Sequence, residues 1–301
     1  MPSFEALIKQ KSDRLEEIPL ELQTIAQKQQ KRILNEVIAQ LDKLDKVNGQ
    51  IKINNKNLLA ITEISDELKS IFLNREYLDA VKEFAKEFDV QAGVNDRLIS
   101  KGFGETPNPL ASESYLEIAK RNAVDALAGE PYVSISVKPI QSMLENAVVN
   151  GANIGDTIAS IELFIKGDEE QASQILKYTK QITNDSFAIA DRSYTSILSE
   201  ELGNDWFYFS GTIVKNTRCF CRERVGNYYH YKEIESWGNG QNLGTCNNGD
   251  GTWGGEIDGT NESTIYSYLG GYNCLHSLIP VSESIVSEND LERARSLGYI
   301  E

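Results

Sequence analysis

"DWFYFSGTIV" (Asp205–Val214) is where the chain changes character. Before it, apolar residues recur at three- and four-residue steps, the period of helices packed on one face. Within it, aromatic and β-branched residues crowd together, the composition of a strand. After it glycine becomes frequent as far as Gly271, and Trp206, Trp237 and Trp253 stand as anchors for small strands and turns. The reading is an α+β chain: a mainly helical N-terminal two thirds, then a small glycine- and aromatic-rich β module. The stretches from Thr217 ("TRCFCRERVGNYYHYKEIESWG") and from Gly270 ("GGYNCLHSLIPV") are its expected outer strands. "TIYSYLGGYN" is a further expected strand, and a short helix is expected from about Glu288.

Toward the N-terminus, Leu22, Ile25, Ile33, Val37, Leu41 and Leu44 predict a helix that opens at Pro19 and stops at Gly49. Leu34, Val37, Leu41 and Leu44 form a short seam facing other helices of the same domain. Leu58, Ile61, Ile64, Leu68, Ile71 and Phe72 predict a second helix, and Leu78, Val81, Phe84, Ala85 and Phe88 a third. "KGFGETPNP" (101–109), with Pro107 and Pro109, then breaks the pattern as a linker. Helices return with "KPIQSMLENAVVNG", with "DTIASIELFIKG" capped by Asp156, and with a run continuing past Asp168. Three regions follow: an N-terminal helical domain (1–104), a second helical region (105–203) and a Cys/His-containing module (204–301).

No run of about 18 apolar residues exists, so no membrane helix is expected. "MPSFEALIKQKSDRLEE" lacks an apolar signal core and reads as mature protein. A net charge of −15 argues against coating nucleic acid. Lys215, Arg218, Arg222 and Arg224 make a local basic cluster, read as a solvated turn whose arginines pair with nearby carboxylates.

The four cysteines all lie in the last third. Cys219, Cys221, Cys274 and His276 offer three thiolates and an imidazole, a donor set for a structural zinc, although Cys219-x-Cys221 is tighter than the usual C-x₂₋₄-C. Cys246 or His230 is an alternative ligand. In a strand, Cys219 and Cys221 would share one face. A Cys221–Cys274 disulfide is the competing reading; it would close some fifty residues, worth about 4 kcal/mol in the chain-entropy model. A Cys274 nucleophile served by His276 lacks an assured geometry of attack. "GDGTWG" follows no strand–helix unit, and "CNNGDGTWGGEIDG" lacks the spacing of a calcium loop, so both read as turns. No enzyme is read from these residues.

The run from about Asn184 to Val281 resembles the minor head proteins of tailed bacteriophages, the Mu F-like head morphogenesis family. The resemblance rests on the order of "AIADRSYTSILSEELG", "DWFYFSG", "TRCFCRERVGNYY", "EIESWG", the glycine-rich stretch with Trp253, and "GGYNCLHSLIPV". The segment "KPIQSMLENAVVNGANIGDTIASIELFI" is similar to the family's helical lead-in. Cys221, Cys274 and His276 stand where the family keeps cysteine and histidine, with Arg218 and Arg222 flanking the first cysteine. Cys219 replaces an expected proline, Leu275 an expected arginine, and the glycine-rich loop is longer than the pattern requires.

The resemblance implies a structural virion component near the portal vertex, assembled in the host cytoplasm and carried in the phage head or neck. It would work through contacts with portal, capsid or other virion proteins, or with copies of itself. Nucleic-acid contact is not indicated by the charge. The alternatives are a metal- or cysteine-dependent enzyme in the C-terminal module, or an internal nucleic-acid-binding virion protein.

Overall fold

The computed structural model describes residues 2–104, 110–168 and 173–301. The expected break at Pro107 and Pro109, and the stretch 169–172 after Asp168, lie outside the described residues. A mainly helical N-terminal region is followed by a small antiparallel β module with an aromatic cluster. The compact units do not follow the sequence order of the three regions. One unit joins 1–19, 86–120 and 184–301; the other joins 20–85 and 121–183.

The first helix, α1 (Phe4–Leu41), runs through Pro19 instead of opening there. Leu7, Lys11, Leu15, Ile18, Leu22, Ala26, Gln29, Ile33, Val37 and Leu41 form a buried stripe in steps of three and four, with Pro19 and Leu34 buried beside it. Because Lys11 belongs to that stripe, an apolar count undervalues its first half. The helix stops short of Gly49, and the expected helical end is a hairpin of β1 (Lys46–Val47) and β2 (Gln50–Ile51). Asn48 and Gly49 supply the positive-φ pair that a two-residue hairpin turn needs.

In the unit formed by 20–85 and 121–183, that hairpin leads to α2 (Asn55–Phe72), capped by the Asn54 side chain on Asn57 N. Buried Asn57 answers Asp45 N–H with its Oδ1, and its amide donates to Asp45 O and Lys52 O. Ile61, Ile64, Leu68, Ile71 and Phe72 are buried as expected. Leu58, counted in the same stripe, is exposed. α2 packs on α6 (Lys138–Val149), which packs on α5 (Glu130–Ser136) and α7 (Ile154–Lys166). Asn153, not Asp156, caps α7; Asp156 lies in its first turn. Tyr77, on the first part of α3 (Arg75–Phe103), stacks on Tyr132 at 5.1 Å and donates to Leu127 O.

The other unit contains the remainder of α3, the first part of α4 (Leu110–Ala128), most of α8 (Gln174–Glu201) and everything after it. Phe88 meets Phe187 edge-on at 5.2 Å. Lys11 Nζ is fully buried on Asp191 Oδ1 at 2.8 Å, with Asn95 and Thr195 as further acceptors. Asp191 also accepts from Gln91, Asn95 and Ser277, so its carboxylate is satisfied on both oxygens.

The β module is a three-stranded antiparallel sheet in the order β4-β3-β5. Its centre is β3 (Trp206–Ser210), within the stretch that opened the sequence reading; β4 is Tyr228–His230 and β5 is Ser277–Val281. β3 alternates between two cores. Phe207 and Phe209 enter one with Phe220, Tyr229, Trp237, Trp253 and Leu278. Trp206 and Tyr208 enter the other with Ile279, Val281 and Ala294. In the first core, Phe220 stacks on Trp253 at 4.4 Å and meets Trp237 edge-on at 5.6 Å. The Arg224 guanidinium sits 4.0 Å over Phe220 and 4.5 Å over Trp237.

The stretch after β4 becomes α10 (Tyr231–Gly238), where the resemblance implies a helix start at "EIESWG". Two expected strand segments fold otherwise: "RCFCR" supplies α9 (Cys219–Arg222), and "TIYSY" supplies α11 (Ile265–Tyr268). These turns are too short for a helical period to show in sequence. The short C-terminal helix is present as α12 (Glu288–Ser296). The basic cluster also differs from expectation, because its arginines answer backbone carbonyls. Arg218 donates to Gly270 O, Arg222 to Lys215 O and Thr217 O, and Arg224 to Phe220 O and Asn242 O. Among the described residues, no helix is long and apolar enough to cross a membrane.

Candidate metal centre

Of Cys219, Cys221, Cys274 and His276, the structure brings the last three together. The reason is α9. A helix turns about 100° per residue, so side chains two apart point to nearly opposite sides. Cys221 faces the aromatic core, whereas Cys219 faces out and is disulfide-bonded to Cys246, in a single helical turn at Gly244–Cys246. Cys221 and Cys274 are free thiols, both buried, with Sγ atoms 3.7 Å apart. His230, the other imidazole, is engaged at the start of α10, where its Nδ1 accepts from Lys232 N.

His276 comes one residue before β5. In the β3–β5 register Ser210 pairs with Ser277, so Gly211 lies opposite His276. The imidazole rests against the Gly211 backbone; a Cβ there would stand 2.3 Å from His276 Cδ2. This places His276 Nδ1 3.7 Å from Cys274 Sγ. The thiols are fitted just as closely around Gly270, whose missing Cβ would stand 2.2 Å from Cys221 Sγ and 2.8 Å from Cys274 Sγ. The loop bearing Cys274 is strained: Leu269 at φ 42° and Asn273 at φ 57° are non-glycine residues in the left-handed region.

Helix α8 holds that loop. Asp185 accepts from Asn273 N, Asn184 donates to Asn273 Oδ1 at 3.0 Å, and Arg192 donates to Cys274 O and Tyr268 O at 3.4 Å. Burial pushes the Asp185 carboxyl up to about 6, against the lowering pull of the Asn273 N–H. In the thiol pair, the contact with Cys221 holds the Cys274 thiol well below its ordinary value, aided by His276 and Arg192. Cys221 is pushed up by the same contact and by burial. Asn184, Asp185, Arg192, Gly211 and Gly270 were not singled out as site residues in the sequence. Asp185 and Arg192 lie seven apart on one face of α8, but the helix carries polar residues throughout, so nothing in the sequence set them apart.

The dimensions fit a tetrahedral ion. Zn–S bonds of about 2.3 Å and Zn–N bonds of about 2.0–2.1 Å imply S···S and S···N edges of about 3.8 and 3.5 Å. The two measured edges are both 3.7 Å, and all three donor atoms lie within 4.8 Å of one another. His276 Nε2 is buried without a hydrogen-bond partner. A metal on Nδ1 would leave Nε2 unpaired, so the fit rests on the donor set and its spacing. Cys221, Cys274 and His276 can therefore coordinate a metal ion, in keeping with a structural zinc. Cys219, Glu223 and Cys246 form a second group of this size, a donor set once the disulfide is reduced.

Comparison with protein-family models, curated proteins and solved structures finds no match to this chain.

Metal and thiols can be read together. Protein purified without reductant is expected to carry one zinc per chain. Cys221 and Cys274 should alkylate with iodoacetamide only after chelation, and Cys219 and Cys246 should appear as a linked peptide in mass spectrometry. Two thiols that alkylate at once in metal-free protein would remove the metal reading.

Proposed function

We propose that this chain is a structural component of a tailed-bacteriophage particle, of the minor head type. In this reading it acts near the portal vertex through contacts with portal, capsid or other virion proteins. The observation that carries the reading is the convergence of Cys221, Cys274 and His276. These residues stand at positions where the resemblance expects cysteine and histidine, the two cysteines are 53 positions apart, and the three meet in one buried cluster beside the aromatic core. Burial of both thiols favours a clamp over a nucleophile, since reactive cysteines are partly exposed. The basic cluster gives little support to nucleic-acid binding, because Arg218, Arg222 and Arg224 each donate to backbone carbonyls and Arg224 is buried. The test is co-expression of the full chain with portal and major capsid proteins of the phage genome that encodes it. Co-purification with the portal protein, beyond an acidic helical control, is the expected result; an unbound chain alongside assembled heads would overturn the reading.

A further inference from the structure

The cluster offers three protein ligands where a tetrahedral ion takes four, and all three residues line one cavity. Among the described residues, no fourth histidine, cysteine or carboxylate lies within 4.8 Å of all three donors. Cys219, the obvious fourth from spacing, is committed to Cys246 on the other side of α9. An open cavity of about 410 Å³ is lined by Cys221, Cys274 and His276 together with Arg218, Thr212 and Glu16. Structural zinc sites are closed by four protein ligands, whereas a site with three keeps one position for an exchangeable ligand.

The wall chooses the ligand's chemistry. Two thiolates and an imidazole leave a zinc ion with no net charge, so the site itself does not repel an anion. Arg218 stands on the same wall. One of its Nη atoms donates to Gly270 O, which fixes the guanidinium beside the glycine that abuts both thiols. A carboxylate can bond a metal through one oxygen and a guanidinium through the other, as neutral ligands of similar size cannot.

We infer that a metal held by Cys221, Cys274 and His276 takes an exchangeable carboxylate as its fourth ligand, entering through this cavity and paired with Arg218. The inference rests on the cluster holding a metal. The carboxylate has two sources: a molecule from outside, or Glu16 of the same cavity wall.

Cobalt(II) separates these outcomes, because its visible absorption reports coordination number and ligand type without any assay of activity. The full chain, chelated and reloaded with cobalt, is expected to give the intense bands of a tetrahedral thiolate site. Adding acetate, or azide as a stronger probe, should shift those bands saturably, and Arg218→Gln should weaken acetate by about tenfold, the loss of one charge-assisted hydrogen bond. A shift in the parent chain assigns the ligand to an outside source. A shift only in Glu16→Gln assigns it to Glu16. Tetrahedral cobalt unmoved by either anion in both proteins would overturn the open position while leaving the metal reading standing. No cobalt uptake, or uptake unaffected by Cys274→Ser, would overturn the metal reading itself.

Discussion

Lys11→Met is expected to destabilise the chain by about 3–5 kcal/mol, the range for breaking a buried ion pair from one side. Lys11 and Asp191 have side chains only 1% and 0% exposed, so solvent cannot replace the missing ammonium. The carboxylate would keep Gln91, Asn95 and Ser277 as donors but lose its only charged partner in the pair. Met conserves most of the volume, which confines the loss to electrostatics instead of a cavity. Thermal unfolding should show it as a fall of roughly 10 °C. Asp191→Asn in the Lys11→Met background should recover part of the loss, since it removes the unpaired charge and keeps an oxygen acceptor for the neighbouring donors. Single and double variants as stable as the parent would mean that the pair is hydrated in solution.

Gly270→Ala is expected to be the most damaging small substitution in the C-terminal module. One methyl group would stand 2.2 Å from Cys221 Sγ and 2.8 Å from Cys274 Sγ, both buried. Cys221 belongs to the core that contains Phe220 and Trp253, and Cys274 is held against His276, so a sulfur displaced into the neighbouring cavity would leave the donor cluster. Overpacking a core ordinarily costs about 1–3 kcal/mol, and this contact is well inside van der Waals distance. Loss of zinc stoichiometry, with a weakened near-ultraviolet circular dichroism from the aromatic cluster, is the expected signature. Gly254→Ala is the control: its Cβ would meet nothing within 4 Å, and metal content and spectrum should be unchanged. A Gly270→Ala protein with normal zinc and spectrum would show that the thiols are more loosely held than their contacts imply.

What was legible in the sequence divides along the length of the elements. Strand β3 could be read because its four aromatic residues alternate between two cores and all four are good strand formers. The seam Leu34, Val37, Leu41 and Leu44 could be read because all four residues are apolar and buried. The first half of α1 was lost at Lys11, a charged residue on the buried face whose partner lies far along the chain. The site was half legible. Cys221, Cys274 and His276 stood out by residue type, but the fate of Cys219 depended on whether Cys219-x-Cys221 lies on a strand or a helix. A four-residue helix leaves no periodic trace, so composition favoured the wrong geometry. The glycines that admit the thiols and the imidazole were invisible for another reason: close approach is a property of what folds against a residue.

Lys11 and Asp191 are separated by 180 positions, and their unit is completed by residues as far along as Ser277, which donates to the same carboxylate. At roughly 5–20 residues per second, a ribosome takes on the order of 10–40 s to go from one partner to the other. During that interval the first turns of α1 are outside the tunnel while their permanent neighbours have not been made. The ammonium of Lys11 can wait in water at little cost, and that makes a cation a safer occupant of the position than another leucine would be. The time-keeping runs in one direction. Whatever the N-terminal segment touches first, it settles only after Ser277 has been made.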